Sequence, residues 1–124
     1  MLIFFYFWTF AMRFDLNNSH LEVEPVYESI FIRIRDSKVT DEQVITQIEN
    51  GVTEIVEQSP GKLIILDFAK VKFMSSSFLG SLVKMQKLMQ QCKCQFKLSN
   101  MDESIYKVFK ITKLNKLFTI EIRK

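Results

Sequence analysis

The sequence contains few of the residues from which catalytic, metal-binding and disulfide-bonded sites are commonly built. Its three glycines are too far apart to form a phosphate-binding loop. Cys92 and Cys94 lack the two-residue spacer of a redox motif, and with His20 as the only histidine they form neither a zinc set nor a disulfide framework. Asp67 could be a catalytic carboxylate, but without a partner acid or base we interpret it as structural. We therefore expect no enzyme activity, no metal and no cofactor, in a protein of the reducing cytoplasm.

Net charge is also low. The 17 basic and 14 acidic residues give +3, and the basic residues are dispersed, so the strong positive field typical of nucleic-acid-binding proteins is missing. We expect no direct nucleic-acid binding. The densest basic stretch holds lysines at a spacing of three residues, at Lys107, Lys110, Lys113 and Lys116. This spacing could line one helical face for an acidic partner, but a solvated face is the preferred interpretation.

Aromatic residues, by contrast, are concentrated at the beginning of the sequence. The uncharged run Met1–Ala11 is too short for a transmembrane helix, which needs roughly 20 apolar residues, and it lacks the features of a secretory signal. Three interpretations remain: a short membrane-touching anchor, an extension that packs on a partner, or a start codon assigned too early. The last is preferred, with Met12 as the true start. Residues 1–14 are thus an apolar extension without a stable membrane span, and residues 15–124 form a single domain.

From Leu21 onward the sequence alternates between strand and helix periodicities. Apolar residues at alternate positions predict strands over Leu21–Glu24 and Ile30–Arg35, joined as a hairpin. Thr40 followed by Gln43 is a capping-box pattern, and the apolar spacing after it predicts a helix that ends near Gln58.

The second half of the sequence continues the alternation. The continuous apolar run Leu63–Leu66 predicts a central strand, and the spacing after residue 77 predicts a helix to about Gln91. A strand over Gln95–Leu98, a helix capped at Asn100 and a final strand over Leu117–Ile122 follow. This order predicts an α/β fold, a mixed sheet with helices packed on it.

Three consecutive serines, Ser75, Ser76 and Ser77, lie where a strand gives way to the second helix. Serine is a favoured helix cap, yet one cap needs only one serine. Phe78, in the first turn of the helix, is a large apolar residue that we expect to face solvent. Hydroxyls beside an exposed aromatic ring indicate a contact surface that a kinase could also reach, as the alternative to simple capping.

The stretch Leu63–Phe118 resembles the STAS domain of bacterial anti-sigma factor antagonists. The family pattern is an apolar strand ending in Asp, then Phe-Met-Asp-Ser-Ser-Gly-Leu-Gly opening a helix, a strand, and a helix followed by an apolar strand. The corresponding segments here are Leu63–Phe68, Phe73–Gly80, Phe96–Asn100 and Val108–Phe118. With a looser match before them, the resemblance covers about Leu21 to Ile122. It implies a STAS-type mixed β-sheet of about four to five strands with three to four helices.

The resemblance also implies a switch. Members of the family bind an anti-sigma factor, itself an ATP-dependent serine kinase, and so free a sigma factor to direct transcription. The kinase phosphorylates the serine that corresponds to Ser76, with Ser75 and Ser77 as alternatives, and this breaks the complex until a serine phosphatase resets it. The partner-binding surface carried over by position consists of Thr40, Asp41, Ser75, Ser76, Ser77, Phe78 and Leu79.

Two motif positions depart from the family pattern. Ser75 stands where the family has Asp, and Phe78 stands where it has Gly. Loss of the Asp removes a charge that could orient the neighbouring hydroxyl, and the Phe is expected to enlarge the contact surface. The alternative function is therefore a STAS interaction subunit, not phosphorylated, in a larger signalling complex or a membrane complex that transports lipids or solutes.

Overall fold

A five-stranded mixed sheet organises the computed structural model, which describes residues 18–123. The strand order is β1-β2-β4-β6-β7, in which β1 and β2 form an antiparallel hairpin and every other neighbouring pair is parallel. The strands are β1 (Leu21–Val26), β2 (Ser29–Ile34), β4 (Leu63–Asp67), β6 (Gln95–Met101) and β7 (Thr119–Ile122). The predicted hairpin, the central position of β4 and the mixed α/β sheet are confirmed.

Three α-helices and a short 3-10 helix connect the strands: α1 (Glu42–Glu57), α2 (Ser76–Gln91), α3 (Glu103–Ile111) and the 3-10 helix Leu114–Lys116. Two predicted caps are wrong. Asp41, not Thr40, has the extended backbone of an N-cap, and its carboxylate accepts hydrogen bonds from the backbone of Gln43 and Val44. A carboxylate at this position also interacts favourably with the positive end of the helix.

The other wrong cap is at the start of α3. Asp102 caps this helix and accepts a hydrogen bond from the Ser104 backbone N–H, 3.2 Å away. Asn100 adopts a left-handed backbone conformation at φ 54° and is still part of β6, where its side chain donates to Asp67. An Asn tolerates this conformation better than most residues, and here it lies one residue before the end of the strand rather than at the start of the helix.

The core lies between one face of the sheet and the helices. Alternate residues of the central strands are fully or almost fully buried, and by register they share a face; they are Ile30, Ile32, Ile34, Ile64, Leu66, Phe96 and Leu98. The helices bury apolar residues at helical spacing in the same core, such as Ile48, Val52 and Ile55 of α1. Phe31, Ile65 and Lys97, on the opposite face, are only partly buried. β4 is thus central in the sheet, as predicted, and its second face is only partly covered.

A separate two-stranded parallel ladder places the candidate site. β3 (Lys38–Val39) pairs with β5 (Phe73–Met74), and the Ser75 N–H donates to the Val39 carbonyl at 3.1 Å. The chain enters α1 directly after β3 and α2 directly after β5. Because the two strands are parallel and in register, the amino-terminal ends of α1 and α2 lie side by side.

Two earlier predictions concern residues that the structure does not describe. The apolar extension over residues 1–14, and the start at Met12, lie outside the described range. Among residues 18–123, none of the helices combines the length and apolar character that crossing a bilayer would need.

Candidate functional site

Ser75 is the N-cap of α2. Its backbone is extended, and its Oγ lies 3.4 Å from the Phe78 backbone nitrogen, from which it accepts a hydrogen bond. The capping function predicted for the serine run therefore belongs to Ser75. With its hydroxyl oxygen occupied in this way, Ser75 is half-buried and is the least available of the three serines.

Ser76 and Ser77 lie in the first turn of α2 and are exposed. Neither hydroxyl forms a hydrogen bond with any residue of the described range 18–123. The backbone N–H groups at this helix end lack intrahelical acceptors, and the helix dipole gives the end a partial positive charge. An anionic group attached at Ser76 or Ser77 would therefore be stabilised locally.

Phe78 does not face solvent, so the predicted exposed ring is wrong. Its side chain has no exposed surface and packs against Phe68, with ring centroids 6.2 Å apart. Phe78 is on the same face of α2 as the buried residues Leu82, Met85 and Met89, and so it extends the apolar stripe of the helix by one turn. The replacement of the family glycine by Phe enlarges the core and not the contact surface. Leu79 is buried too, at 7% exposure.

Phe73 is the exposed aromatic residue of this region. It lies in β5, three residues before Ser76, and 63% of its surface is exposed. Its backbone N–H donates to the Ser37 carbonyl at 3.0 Å, which holds the ring on a fixed strand. The sequence alone carries no signal for this exposure, because a Phe before a serine run is equally compatible with a buried strand end.

Thr40 and Asp41 join this surface from the neighbouring helix. Both are exposed, and both follow β3 directly, whose partner β5 leads to Ser75. The structure thus brings together five of the seven residues predicted to bind a partner. We call Thr40, Asp41, Phe73, Ser75, Ser76 and Ser77 the serine surface.

The charges around the serine surface are unequal at its two helix ends. α1 carries Asp41 at its N-cap and Glu42 in its first turn, whereas α2 has a serine at its N-cap and no acidic residue in its first turn. Lys72, just before β5, lies 3.8 Å from Asp102. The start of α2 is therefore the end at which the helix dipole is not offset by a carboxylate of its own helix.

A buried carboxylate fixes the segment that leads into β5. Asp67 ends β4 without exposed surface and accepts hydrogen bonds from Arg33 Nε at 2.7 Å, Asn100 Nδ2 at 3.0 Å and the Ala69 backbone at 3.0 Å. The hydrogen bond to Asp67, with its charge, raises the pKa of Arg33. Three donors around one carboxylate match the structural function that we predicted for Asp67.

His20 also has a function in the fold. Its Nδ1 lies 2.7 Å from Asp36 Oδ2, and its carbonyl accepts from the Arg35 backbone. The contact links the start of β1 to the residues after β2.

The sequence that builds this arrangement matches a known domain. A family model described as the STAS domain matches residues 27–123, and the chain belongs to this family.

Solved structures with the same fold come from proteins of different kinds. An anti-sigma factor antagonist from Mycobacterium paratuberculosis has a TM-score of 0.71 at 18% identity, covering 86% of this chain and 89% of that one. The phosphorylated form of SpoIIAA, a Bacillus cell fate determinant, has a TM-score of 0.62 at 22% identity, covering 81% and 89%. A sulfate transporter family protein from Wolinella succinogenes has a TM-score of 0.66 at 15% identity, covering 82% of each chain. At these identities the likeness establishes the fold.

Proposed function

We propose that this protein is a cytoplasmic anti-sigma factor antagonist. It binds an anti-sigma factor kinase through the serine surface, and phosphorylation of Ser76 ends the binding. One observation carries the proposal: Ser76 presents an exposed hydroxyl, without a hydrogen bond to any of residues 18–123, at the start of α2, beside the cap formed by Ser75.

The physical basis of the switch is a difference between the free and bound states. A phosphoserine carries about −1.5 to −2 charges at neutral pH. In the free protein the end of α2 stabilises that charge, at about 0.3–1 kcal/mol for an exposed site. In a complex the same phosphate would have to lose its water against the partner, and a buried charge without a partner is costly. Phosphorylation therefore favours the free protein.

Absence of the family Asp at position 75 does not remove the cap. Ser75 supplies the accepting oxygen that an Asp would supply, without the negative charge. The start of α2 is consequently more positive than in a member with Asp at this position, which favours an anionic group on Ser76.

Binding of a cognate anti-sigma kinase to three variants tests the proposal. Ser76→Ala should retain binding, and Ser76→Glu should abolish it. Ser77→Glu, an equal charge on the next exposed residue, is the matched control for the site of modification. Intact mass after incubation with ATP and the kinase should rise by one phosphate in the wild-type chain but not in Ser76→Ala. Equal binding by Ser76→Ala and Ser76→Glu would contradict the switch.

A second function is a subunit, not phosphorylated, of a larger signalling or membrane transport assembly. Its support is the likeness to the Wolinella sulfate transporter family protein together with the missing Asp at position 75. In that case the chain should co-purify with membrane fractions, its mass should be unchanged by ATP and kinase, and a serine phosphatase should have no effect on its binding.

A further inference from the structure

The region around α3 holds the whole excess of positive charge in the chain. Residues 103–116 contain one acid, Glu103, and four lysines, a net charge of +3, which equals the net charge of all 124 residues. The basic and acidic residues in the rest of the chain are therefore equal in number. We call the lysines Lys107, Lys110, Lys113 and Lys116, with the apolar residues Val108, Ile111 and Leu117, the lysine patch.

None of the four lysines forms an ion pair within the described part of the chain. All four are exposed, and Lys110 lies 5.9 Å from the centre of the Tyr106 ring. The spacing of the lysines suggested that all four could lie on one helical face. They do not, because α3 ends at Ile111, before Lys113 and Lys116. Lys113 has a left-handed backbone at φ 62°, and the 3-10 helix that follows carries Lys116. The charges are therefore distributed around a corner of the domain.

Exposed apolar side chains accompany these charges. Ile111 is 81% exposed, and Val108 and Leu117 are about equally exposed at 39% and 40%. The buried side of α3 is held by Ile105 and Phe109, so these three residues are not needed to attach the helix to the sheet. Apolar side chains beside lysines without an ion pair in residues 18–123 suit a partner whose surface is anionic and whose interior is apolar.

We propose that the lysine patch binds the surface of an anionic lipid bilayer. Protein interfaces are poor in lysine and rich in arginine and aromatic residues, whereas all four cations here are lysines, which act as flexible point charges. Such charges are attracted to anionic headgroups, and Ile111 and Leu117 can enter the boundary between headgroups and acyl chains. The proposal is independent of the switch at Ser76.

Co-sedimentation of the full chain with lipid vesicles tests the patch. The probes are vesicles of phosphatidylcholine alone and of equal parts phosphatidylcholine and phosphatidylglycerol. The wild-type chain should bind the anionic vesicles more tightly, and added salt should weaken that binding. Each lysine near an anionic surface contributes a factor of about 5 to the partition coefficient, so Lys107→Gln with Lys110→Gln should reduce it by about 25-fold.

The matched control removes two positive charges from outside the lysine patch. Lys84→Gln with Lys93→Gln changes two exposed lysines outside the patch and should leave the partition coefficient close to that of the wild type. Ile111→Ser should weaken binding at high salt as well as at low salt. The proposal is overturned if both double variants bind alike, if the wild-type chain does not bind anionic vesicles, or if it binds neutral vesicles equally well. The last outcome would assign binding to apolar residues alone.

Discussion

Arg33 Nε lies 2.7 Å from Oδ2 of Asp67, a carboxylate with no exposed surface, and this contact joins β2 to the segment that leads to the serine surface. The Arg33 side chain is about one third exposed, so water solvates its charge in part but does not reach the carboxylate of Asp67. Arg33 therefore contributes to stability mainly as a hydrogen-bond donor to the buried carboxylate of Asp67.

Replacing Arg33 by Met should destabilise the fold by about 2–3 kcal/mol, because a buried charge loses one of its three donors. Asn100 and the Ala69 backbone remain, which keeps the loss below that of a fully unpaired carboxylate. Urea denaturation measures the change. Lys62→Met is the control, since it removes a pair with the highly exposed Glu28 and should cost less than about 1 kcal/mol. Equal losses for the two variants would show that burial of Asp67 has no special effect.

Replacing either of two phenylalanines near the serines by alanine should have different effects on stability and on partner binding. Phe78→Ala should cost about 3–5 kcal/mol of stability, since a fully buried ring that packs on Phe68 is lost. Phe73→Ala should change stability by less than about 0.5 kcal/mol because its ring is mostly in solvent. Partner binding should weaken for the Phe73 variant at temperatures where both proteins are folded. A stable Phe78→Ala protein would contradict the buried position.

The N-cap at Ser75 can be separated from the proposed switch at Ser76 by stability measurements alone. Ser75→Ala should cost about 1 kcal/mol, whereas Ser75→Asp should be at least as stable as the wild type, because it retains the cap and adds a charge at the positive helix end. Ser77→Ala should be neutral to within about 0.5 kcal/mol. Thermal unfolding by circular dichroism checks all three. If Ser75→Ala and Ser77→Ala behave alike, Ser75 is not the cap.

Asp102 should make part of the folding stability depend on pH in the acidic range. The hydrogen bond from the Ser104 backbone, and more weakly Lys72, lower its pKa. The folded protein thus holds fewer protons at this site than the unfolded chain. The contribution is complete above the ordinary Asp value of about 3.9 and is lost as the pH falls through the lower folded pKa. Asp102→Asn keeps a cap that does not titrate, so its stability should vary less with pH below about 4. Urea midpoints across this range, identical in slope for both proteins, would contradict the assignment.

The two cysteines should alkylate slowly and in a fixed order. Burial raises the pKa of Cys92, which reduces its thiolate fraction at neutral pH. Cys94 is buried, and its Sγ donates to the Ser59 carbonyl at 3.3 Å. Iodoacetamide should therefore modify Cys92 first, more slowly than a free thiol, with a rate that rises with pH. Peptide mass mapping over time gives the order, and faster labelling of Cys94 would be inconsistent with its burial.

Periodicity was sufficient to predict the core of α1. Ile48, Val52 and Ile55 repeat at helical spacing and are all buried. The exact caps were not predictable in this way, because Thr40 and Asp41 are both good capping residues, and the choice depends on where β3 ends its pairing with β5.

The fate of Phe78 could have been predicted from the same periodicity. It stands four residues before Leu82 and seven before Met85, which places it on the buried stripe of α2 once the helix is begun at Ser76. The exposure of Phe73 could not, because it depends on which face of a two-residue strand meets the rest of the domain. Local patterns describe one element at a time, and the serine surface is formed where two elements meet.

The ladder between β3 and β5 links the hydrophobic core to the serine surface. Within residues 18–123 it is paired apart from the main sheet, yet Val39 is fully buried in the core and Met74 packs against that core. The same pairing holds the starts of α1 and α2 side by side through the Ser75–Val39 hydrogen bond. Burial of Val39 and the approach of the two helix ends therefore depend on the same four residues, so a substitution in this ladder should affect stability and the proposed partner surface together.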